Sequence, residues 1–463
     1  MSRAIAIDLG TTSIKAGILD LNDALQHLVL KRAPPINNFG GHFESDAIAY
    51  AETAERVLVE CMAYAEERLP LGMCSQRSSF LIWERTNGKP VTPLISWQDD
   101  RGKTACTALN AHEELISDLT GLRLVPYYLA PKLYVLLQQH PEWRISLECG
   151  DLLVGTIDTF LIWRWTNGAH HLIDASMAAR TLLMDISQAQ WSPVLGKLFN
   201  IPLDILPRII PSANIALPLT NGLTLQSCLG DQSAAFLACA CSDDVALVNL
   251  GTGGFVIRTL PNATQYPNGY LRTLLYQNGG IHLATEGTIN SIASAFSSYP
   301  VAQCRAEDLA CNDIYCLAEP SGLGAPYFRN DLGIVFSQPV THLLPLQIAA
   351  LFLESVIFRV ARIIEEFNQI APIKVIYLSG GRSKLLPLQQ GIAQCVGCEV
   401  CLLQEKDASL LGAALLACER TAASFTENMK IAAKSNPKLQ GKYQAWKKWL
   451  DAKLAISTAP KLY

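Results

Sequence analysis

Apolar and polar positions alternate through residues 4–20, AIAIDLGTTSIKAGILD: Ile5 and Ile7 precede a Gly-Thr-Thr-Ser segment, and Ile14, Ala16 and Ile18 follow it. Period-two alternation on both sides of a glycine-bearing turn predicts two adjacent strands of one hairpin. Asp8 breaks the pattern. A carboxylate at the end of an inner strand costs roughly several kcal/mol unless a cation or a polar cleft meets it. Gly10 lets a ligand approach the backbone, and Thr11, Thr12 and Ser13 add hydroxyls beside the free N–H groups of the turn. The combination suits a magnesium-bound phosphate group, although an ordinary Gly-Thr hairpin reads the same way.

The pattern returns in residues 245–260, VALVNLGTGGFVIRTL. DLGTTSIKAGIL and NLGTGGFVIRTL match in the turn and in the strand that follows it. A separation of about half the chain implies two related domains, each offering one phosphate hairpin to a shared cleft. At 463 residues the chain is long enough for two such cores. The expected division is 1–239 and 240–463, the second domain beginning after LQSCLGDQSAAFLACACS.

Between the hairpins, AIAYAETAERVLVECMAYAEERL carries apolar residues at spacings of three and four, a helix signal. Strands and helices then alternate, which predicts α/β layers around largely buried sheets. RIIPSANIALPLTNGL reads as surface connection, and KYQAWKKWLDAKLA as an outer helix with a solvated basic face.

Composition narrows the classes. Half of the residues are hydrophobic and 17% are charged, which excludes a mainly disordered chain. A formal charge of −4 carries no basic footprint for nucleic acid. No apolar stretch reaches the length of a membrane helix, and MSRAIAIDLG lacks a secretory leader pattern, so a cytoplasmic protein with neither membrane nor nucleic-acid partner is expected. Fourteen cysteines then read as reduced thiols. Cys395, Cys398 and Cys401 have the spacing of a metal motif, but no fourth Cys or His follows at useful distance, and small buried thiols are the expected reading.

With GTIDTFLIWRWTNG, SMAARTLLMDI and SGLGAPYFRNDLGIVFS added to the two hairpins, the chain resembles the FGGY carbohydrate kinases of the actin-like ATPase superfamily, the glycerol kinases within that family being nearest in look. The resemblance runs from Ala4 to about Leu450. It implies an α/β fold of two actin-like (ribonuclease H-like) domains with the active site in the cleft between them, ATP and Mg²⁺ as cofactors, and a small polyol or sugar as partner; a homodimer is compatible with this.

In LGDQSAAF the resemblance makes Asp231 the catalytic base that takes the acceptor's proton, with Gln232 beside it. Its position before an apolar run would equally suit a helix N-cap. In CSQRSSFLIWERTNGKPVTPLISWQDDR, Arg77 and, twenty residues later, Trp97 match the residues that grip and line the acceptor pocket. An arginine fork suits paired hydroxyls and an indole face suits C–H groups. Tyr127 and Phe255 match two further pocket aromatics, and Asp99, Asp100 and Arg101 resemble a structural ion-pair motif. Asp8 matches the residue that organises Mg²⁺ through its waters. Gly10, Thr11, Thr12, Ser13, Gly251 and Thr252 match phosphate-binding positions, Lys15 stands where relatives have Arg, and Gly287, Gly380 and Gly381 match the adenosine cradle. ASLLGAALLA reads as a packing helix of small residues.

The chain departs from the glycerol kinases at Ser78, where they carry a Glu that accepts hydrogen bonds from glycerol. Losing a charged acceptor removes roughly 1.5–3 kcal/mol if nothing replaces it, and a larger polyol or a ketose such as a pentulose becomes the alternative substrate. The Gly-Gly-Thr-Arg loop that binds a sugar bisphosphate inhibitor in some glycerol kinases is missing, so no such regulation is expected. A non-catalytic actin-like nucleotide or sugar binder is the rival of another class; the set Arg77, Trp97, Tyr127 and Asp231 argues against it.

Overall fold

A computed structural model describes residues 3–65, 67–239, 242–261, 266–420, 429–432 and 435–456. They fall in two compact units, one within Met1–Cys241, Arg272–Leu283 and Asp407–Ala423, the other within Ser242–Leu271, Ala284–Lys406 and Ser424–Tyr463.

The first unit is built on a six-stranded sheet. Its strands are β1 (Ala4–Leu9), β2 (Ser13–Leu19), β3 (Leu25–Arg32), β4 (Pro70–Ser75), β5 (Ala213–Pro218) and β6 (Thr224–Gly230), in the order β5-β6-β4-β1-β2-β3. The hairpin read from the alternation is present: β1 and β2 pair antiparallel, Asp8 opposite Lys15 and Leu9 opposite Ile14. Strands β1, β4 and β6 run parallel, with Asp8 beside Cys74 and Ser75 beside Gly230. Their carboxyl ends therefore lie side by side.

Helix α1 (Ala47–Met62) packs on β1, β2 and β3, capped by the Asp46 carboxylate on the Ala49 N–H. Its apolar stripe, Tyr50, Ala54, Val57 and Leu58 among others, is buried, but the helix stops at Met62, short of the full apolar pattern. Further along the chain come α2 (Leu129–Gln139), α3 (Ile157–Trp165), α4 (Ala175–Ala178) and α5 (Asp231–Leu237).

The second unit repeats the hairpin as β7 (Val245–Leu250) and β8 (Gly254–Thr259), paired antiparallel. They belong to a seven-stranded sheet with β9 (Leu271–Asn278), β10 (Gly280–Ile289), β11 (Val375–Ser379), β12 (Glu399–Leu402) and β13 (Met429–Lys430), in the order β9-β10-β8-β7-β11-β12-β13, of which Arg272–Leu283 is grouped with the first unit. Helix α6 (Pro345–Phe367) fills its core.

Helix α7 (Ala408–Ala417) belongs to the first unit, where it packs against α5, β4 and β1. Its small residues allow backbone contact: a Cβ on Gly412 would stand 1.8 Å from the Ala234 carbonyl oxygen, and one on Gly72 2.2 Å from that of Ala413. Helix α8 (Pro437–Ala455) buries Tyr443, Trp446 and Leu450, and also Lys442, which pairs with Glu354 at 2.6 Å, so its face is less solvated than the sequence pattern implies. The stretch before it, read as charged and helical from residue 425, has residues 425–428 outside the described residues and the short strand β13 after them. Among the described residues no helix is long and apolar enough to cross a membrane. Cys395 and Cys398 are half-buried and Cys401 is buried, all as free thiols.

Candidate active site

Three neighbouring strand ends gather the first unit's polar residues. Beyond the carboxyl end of β1 come Gly10, Thr11 and Thr12; beyond β4, Gln76 and Arg77; beyond β6, Asp231. Parallel strands leave their ligand sites at this edge, where the chain turns away and backbone groups are free.

Asp231 opens α5, but the N-cap position belongs to Gly230, and the Asp231 Oδ1 accepts the N–H of the adjacent Gln232 at 2.7 Å. The helix-cap reading of Asp231 is thus replaced by a half-exposed carboxylate 3.6 Å from Arg77 Nε. Gly230 makes room for that arginine: a Cβ there would meet Arg77 Cδ at 3.0 Å and Cγ at 3.1 Å. The Gly230 N–H donates to Ser176 Oγ at 2.9 Å, and the Asp174 carboxylate holds Ser176 through both its N–H, at 2.8 Å, and its hydroxyl, at 3.2 Å. Gln232 Oε1 is buried and has no hydrogen-bond partner among the described residues, an acceptor that a ligand hydroxyl would satisfy.

Burial, then the charge of Asp231, pushes the Asp8 carboxyl up to about 7, against the opposing pull of Lys15. The lack of compensating charge that raises this carboxyl would also favour a cation placed beside it. Among the described residues no three His, Cys, Asp or Glu side chains gather into a metal cage. Mg²⁺ does not need one, because it keeps several waters and takes one or two carboxylates plus substrate phosphates. Asp8, with Asp231 close by, fits that donor set.

The hairpin tip is tied down by a network. Tyr50 Oη donates to the Gly10 carbonyl at 2.8 Å and accepts from Gln76 Nε2 at 3.2 Å; Thr11 Oγ1 donates to Gln76 Oε1 at 3.1 Å and accepts from Trp97 Nε1 at 3.1 Å. A Cβ at Gly10 would stand 2.7 Å from the Ser13 carbonyl oxygen, so this turn requires glycine. Thr12 is exposed and Ser13 half-buried at the start of β2. Lys15, expected to reach phosphates, instead holds Asp407 at 2.6 Å.

Trp97 presents an exposed indole, 39% accessible, beside this network. Tyr127 Oη donates to Tyr128 Oη at 2.8 Å and accepts from Arg180 Nη2 at 3.3 Å. Ser78 differs from its expected role. It is 2% exposed, its hydroxyl donates to the Arg180 carbonyl at 3.0 Å, and its backbone is left-handed at φ +64°. The side chain is turned into the protein and does not offer its donor to an acceptor molecule. Asp99 and Arg101 form the expected ion pair at 2.7 Å, with Glu44 as a second partner of Arg101 at 2.5 Å.

In the second unit, the turn Gly251-Thr252-Gly253 closes on itself through a Gly251 N–H to Gly253 carbonyl bond of 2.8 Å, and the Thr252 carbonyl accepts the Ala293 N–H at 3.0 Å. Gly380 sits against this hairpin: its φ is +87°, and a Cβ would lie 2.5 Å from the Leu250 carbonyl oxygen. Gly381 next to it faces open space. The two glycines and the second hairpin are therefore brought together. Gly287 is not part of that opening. It is buried on β10, and a Cβ would meet Ile363 Cγ2 at 2.8 Å and Tyr270 Cε1 at 3.2 Å, so packing explains its lack of a side chain. Phe255 is half-buried on β8, opposite Asn249.

The sequence reading passed over Tyr50, Gln76, Asp174, Ser176 and Lys132. Gln76 lies within CSQRSSF and Ser176 opens SMAARTLLMDI, where a polar residue near a site residue is a candidate support. Tyr50 and Lys132 sit in apolar helical stripes, which hide polar tips.

Comparison with known proteins shows the family of the chain. Residues 3–249 match the N-terminal domain of the FGGY family of carbohydrate kinases and residues 246–419 its C-terminal domain. The glycerol kinase of Methylobacterium nodulans is 32% identical over 451 residues, covering 90% of this chain and 89% of the relative. In structure, the glycerol kinase of Plasmodium falciparum, solved with ADP, superposes with a TM-score of 0.86 at 23% identity, covering 99% of both chains. A xylulose kinase from Rhodospirillum rubrum gives 0.81 at 18% identity, covering 98% of both. The chain belongs to the FGGY family of carbohydrate kinases and is an ATP-dependent kinase of a sugar or polyol.

Proposed function

We propose that the protein transfers the γ-phosphoryl group of ATP to a hydroxyl of a small polyol, with Asp231 as general base and glycerol as the first acceptor to test. The observation that carries this reading is the pair Arg77 and Asp231, 3.6 Å apart at the strand ends that also present the Asp8 hairpin. Arg77 would hold an acceptor's hydroxyls while an Asp231 oxygen takes the proton of the reacting one. The acceptor oxygen, its proton passed to Asp231, attacks the γ-phosphorus in line, and the bond to the ADP oxygen breaks. Trp97 supplies the apolar wall, Gln232 Oε1 accepts an acceptor hydroxyl, and Tyr127 adds a further aromatic contact; Phe255 of the second unit is proposed as an acceptor contact from the family resemblance alone.

Gly10, Thr11, Thr12 and Ser13 of the first unit and Gly251 and Thr252 of the second would bind phosphates, with Gly380 and Gly381 at the adenosine. Mg²⁺, held near Asp8, would neutralise phosphate charge. Lys15 is engaged with Asp407 and acts on the phosphates only as a neighbouring charge.

A pentulose is the second reading. It is favoured by Ser78, whose inward turn leaves no carboxylate after Arg77 to accept glycerol's hydroxyls. The test is ADP release in a coupled assay across glycerol, dihydroxyacetone, erythritol, ribulose and xylulose, for wild type and Asp231→Asn. One stimulating acceptor, with a loss of about 100-fold to 10,000-fold in the variant, supports the reading. Stimulation that survives Asp231→Asn removes the base from the mechanism.

A further inference from the structure

Lys132 is a fully buried lysine on α2 that the mechanism above does not use. Its Nζ donates to two backbone carbonyls, that of Ser96 at 2.9 Å and that of Ser78 at 3.2 Å, and lies 5.6 Å from the centre of the Phe80 ring. Those carbonyls belong to the residues directly beside Trp97 and Arg77. One ammonium thus spans the two chain segments that carry the acceptor's grip and wall.

We infer that Lys132 is a positioning residue, fixing the Arg77–Ser78 segment against the Ser96–Trp97 segment and thereby setting affinity for the acceptor but not for ATP. The inference rests on the reading of Arg77 and Trp97 as acceptor-binding residues.

A buried lysine is an expensive way to fill a core, since a methionine packs the same volume without a polar tip. What the amine adds here is a hydrogen bond to the Ser78 carbonyl and one to the Ser96 carbonyl, which also accepts the Asp99 N–H at 3.1 Å. The Ser78 backbone is in the left-handed region, which a residue with a Cβ disfavours, so it persists only where its surroundings hold it. They hold it from two sides: Lys132 on its carbonyl and the Arg180 carbonyl on its hydroxyl. A second tie joins the same two segments, the Trp97 N–H donating to Ser79 Oγ at 3.0 Å and Ser79 Oγ donating to Gln76 Oε1 at 3.1 Å. Burial pushes the Lys132 ammonium down to about 7, with Asp99 opposing and Arg101 reinforcing. A neutral amine keeps two N–H donors, enough for the two carbonyls, so the bridge survives deprotonation.

The test is Lys132→Met, with Lys132→Ala in the presence and absence of ethylammonium, assayed below the variants' unfolding temperatures. The acceptor KM is expected to rise about tenfold while the ATP KM stays within about twofold, and ethylammonium should lower the acceptor KM of the alanine variant. A fall in Tm alone, or equal rises in both KM values, overturns the inference and leaves Lys132 a structural residue. Hydrogen–deuterium exchange of the same variants decides the matter independently of the substrate. Faster exchange confined to 76–80 and 94–98 supports the bridge, and unchanged exchange there overturns it. If wild type phosphorylates none of the acceptors, the functional reading fails while the exchange result still judges Lys132.

Discussion

Asp8, next to the end of β1, and Asp231, directly after β6, lie at strands that flank the same neighbour, β4, and the charge of Asp231 adds to burial in raising the Asp8 carboxyl to about 7. The two carboxylates repel each other, and in the proposed mechanism a cation beside Asp8 would relieve that repulsion. Asp8→Asn should therefore leave Tm unchanged or raise it, while ADP release falls about 100-fold and the Mg²⁺ requirement rises. Thermal melts without nucleotide and ADP release across a Mg²⁺ titration check both halves. A variant of normal activity would remove Asp8 from the cation site.

Ser176 stands one hydrogen bond from the proposed base: its hydroxyl accepts the Gly230 N–H, and Asp174 orients it. Ser176→Ala leaves a buried N–H without a partner, a cost of about 1–3 kcal/mol. The strand end that carries Asp231 loosens at the same time. Tm should fall by several degrees and kcat by several-fold with the ATP KM unchanged, and Ser176→Thr, which keeps the hydroxyl, should restore much of both. Denaturation and steady-state kinetics on the two variants measure this; equal losses in alanine and threonine would mean that the hydroxyl is not what matters.

Much of this arrangement is visible before folding. The two hairpins announce themselves because alternation and a Gly-Thr turn leave few other structures open to those residues, and Asp8 and Asp231 stand out as carboxylates against apolar runs. Ser78 does not, since a left-handed serine carries no mark in the sequence, and its residue type alone suggested a side chain facing the ligand. Lys132 reads as one more polar residue in an amphipathic helix. Its burial is decided by where the Ser78 and Ser96 carbonyls end up, a long-range matter. Gly287 shows the converse: the glycine is evident, but its cause is Ile363 and Tyr270 packed on it. Helix α7 could be read as a packing helix from its small residues, but not which sheet it would cover.

That helix makes a sharp prediction. A Cβ on Gly412 would stand 1.8 Å from the Ala234 carbonyl oxygen, inside α5, and backbone cannot step aside as a side chain can. Gly412→Ala would ordinarily favour a helix by about 1 kcal/mol. Here it should destabilise by about 2 kcal/mol or more through overpacking and shift α5, whose first residue is Asp231. Urea denaturation should show the loss of stability, and kcat should fall beyond what the unfolded fraction explains. A stabilised or fully active variant would contradict the close contact.

Asp158 gives the fold a pH dependence that can be isolated. It is buried in the first turn of α3, and burial, with the charge of Asp174 adding and a Thr156 hydrogen bond opposing, pushes its carboxyl up to about 7. The folded state therefore keeps a proton that the unfolded chain loses near pH 4. Its contribution to stability is complete below about pH 4 and is lost as pH rises toward 7. Asp174, raised to about 6, acts in the same direction; His171, lowered to about 4 by burial, acts in the opposite one, losing stability as pH falls from 6.5. Comparing wild type with Asp158→Asn cancels the contribution of His171 and isolates that of Asp158 together with its coupling to Asp174. The variant's stability relative to wild type should rise by up to about 1.4 kcal/mol per pH unit between pH 4 and 7 and level off above. Urea unfolding at pH 5, 6, 7 and 8 reads the slope directly, and a constant difference across that range would show Asp158 to be ionised in the folded protein.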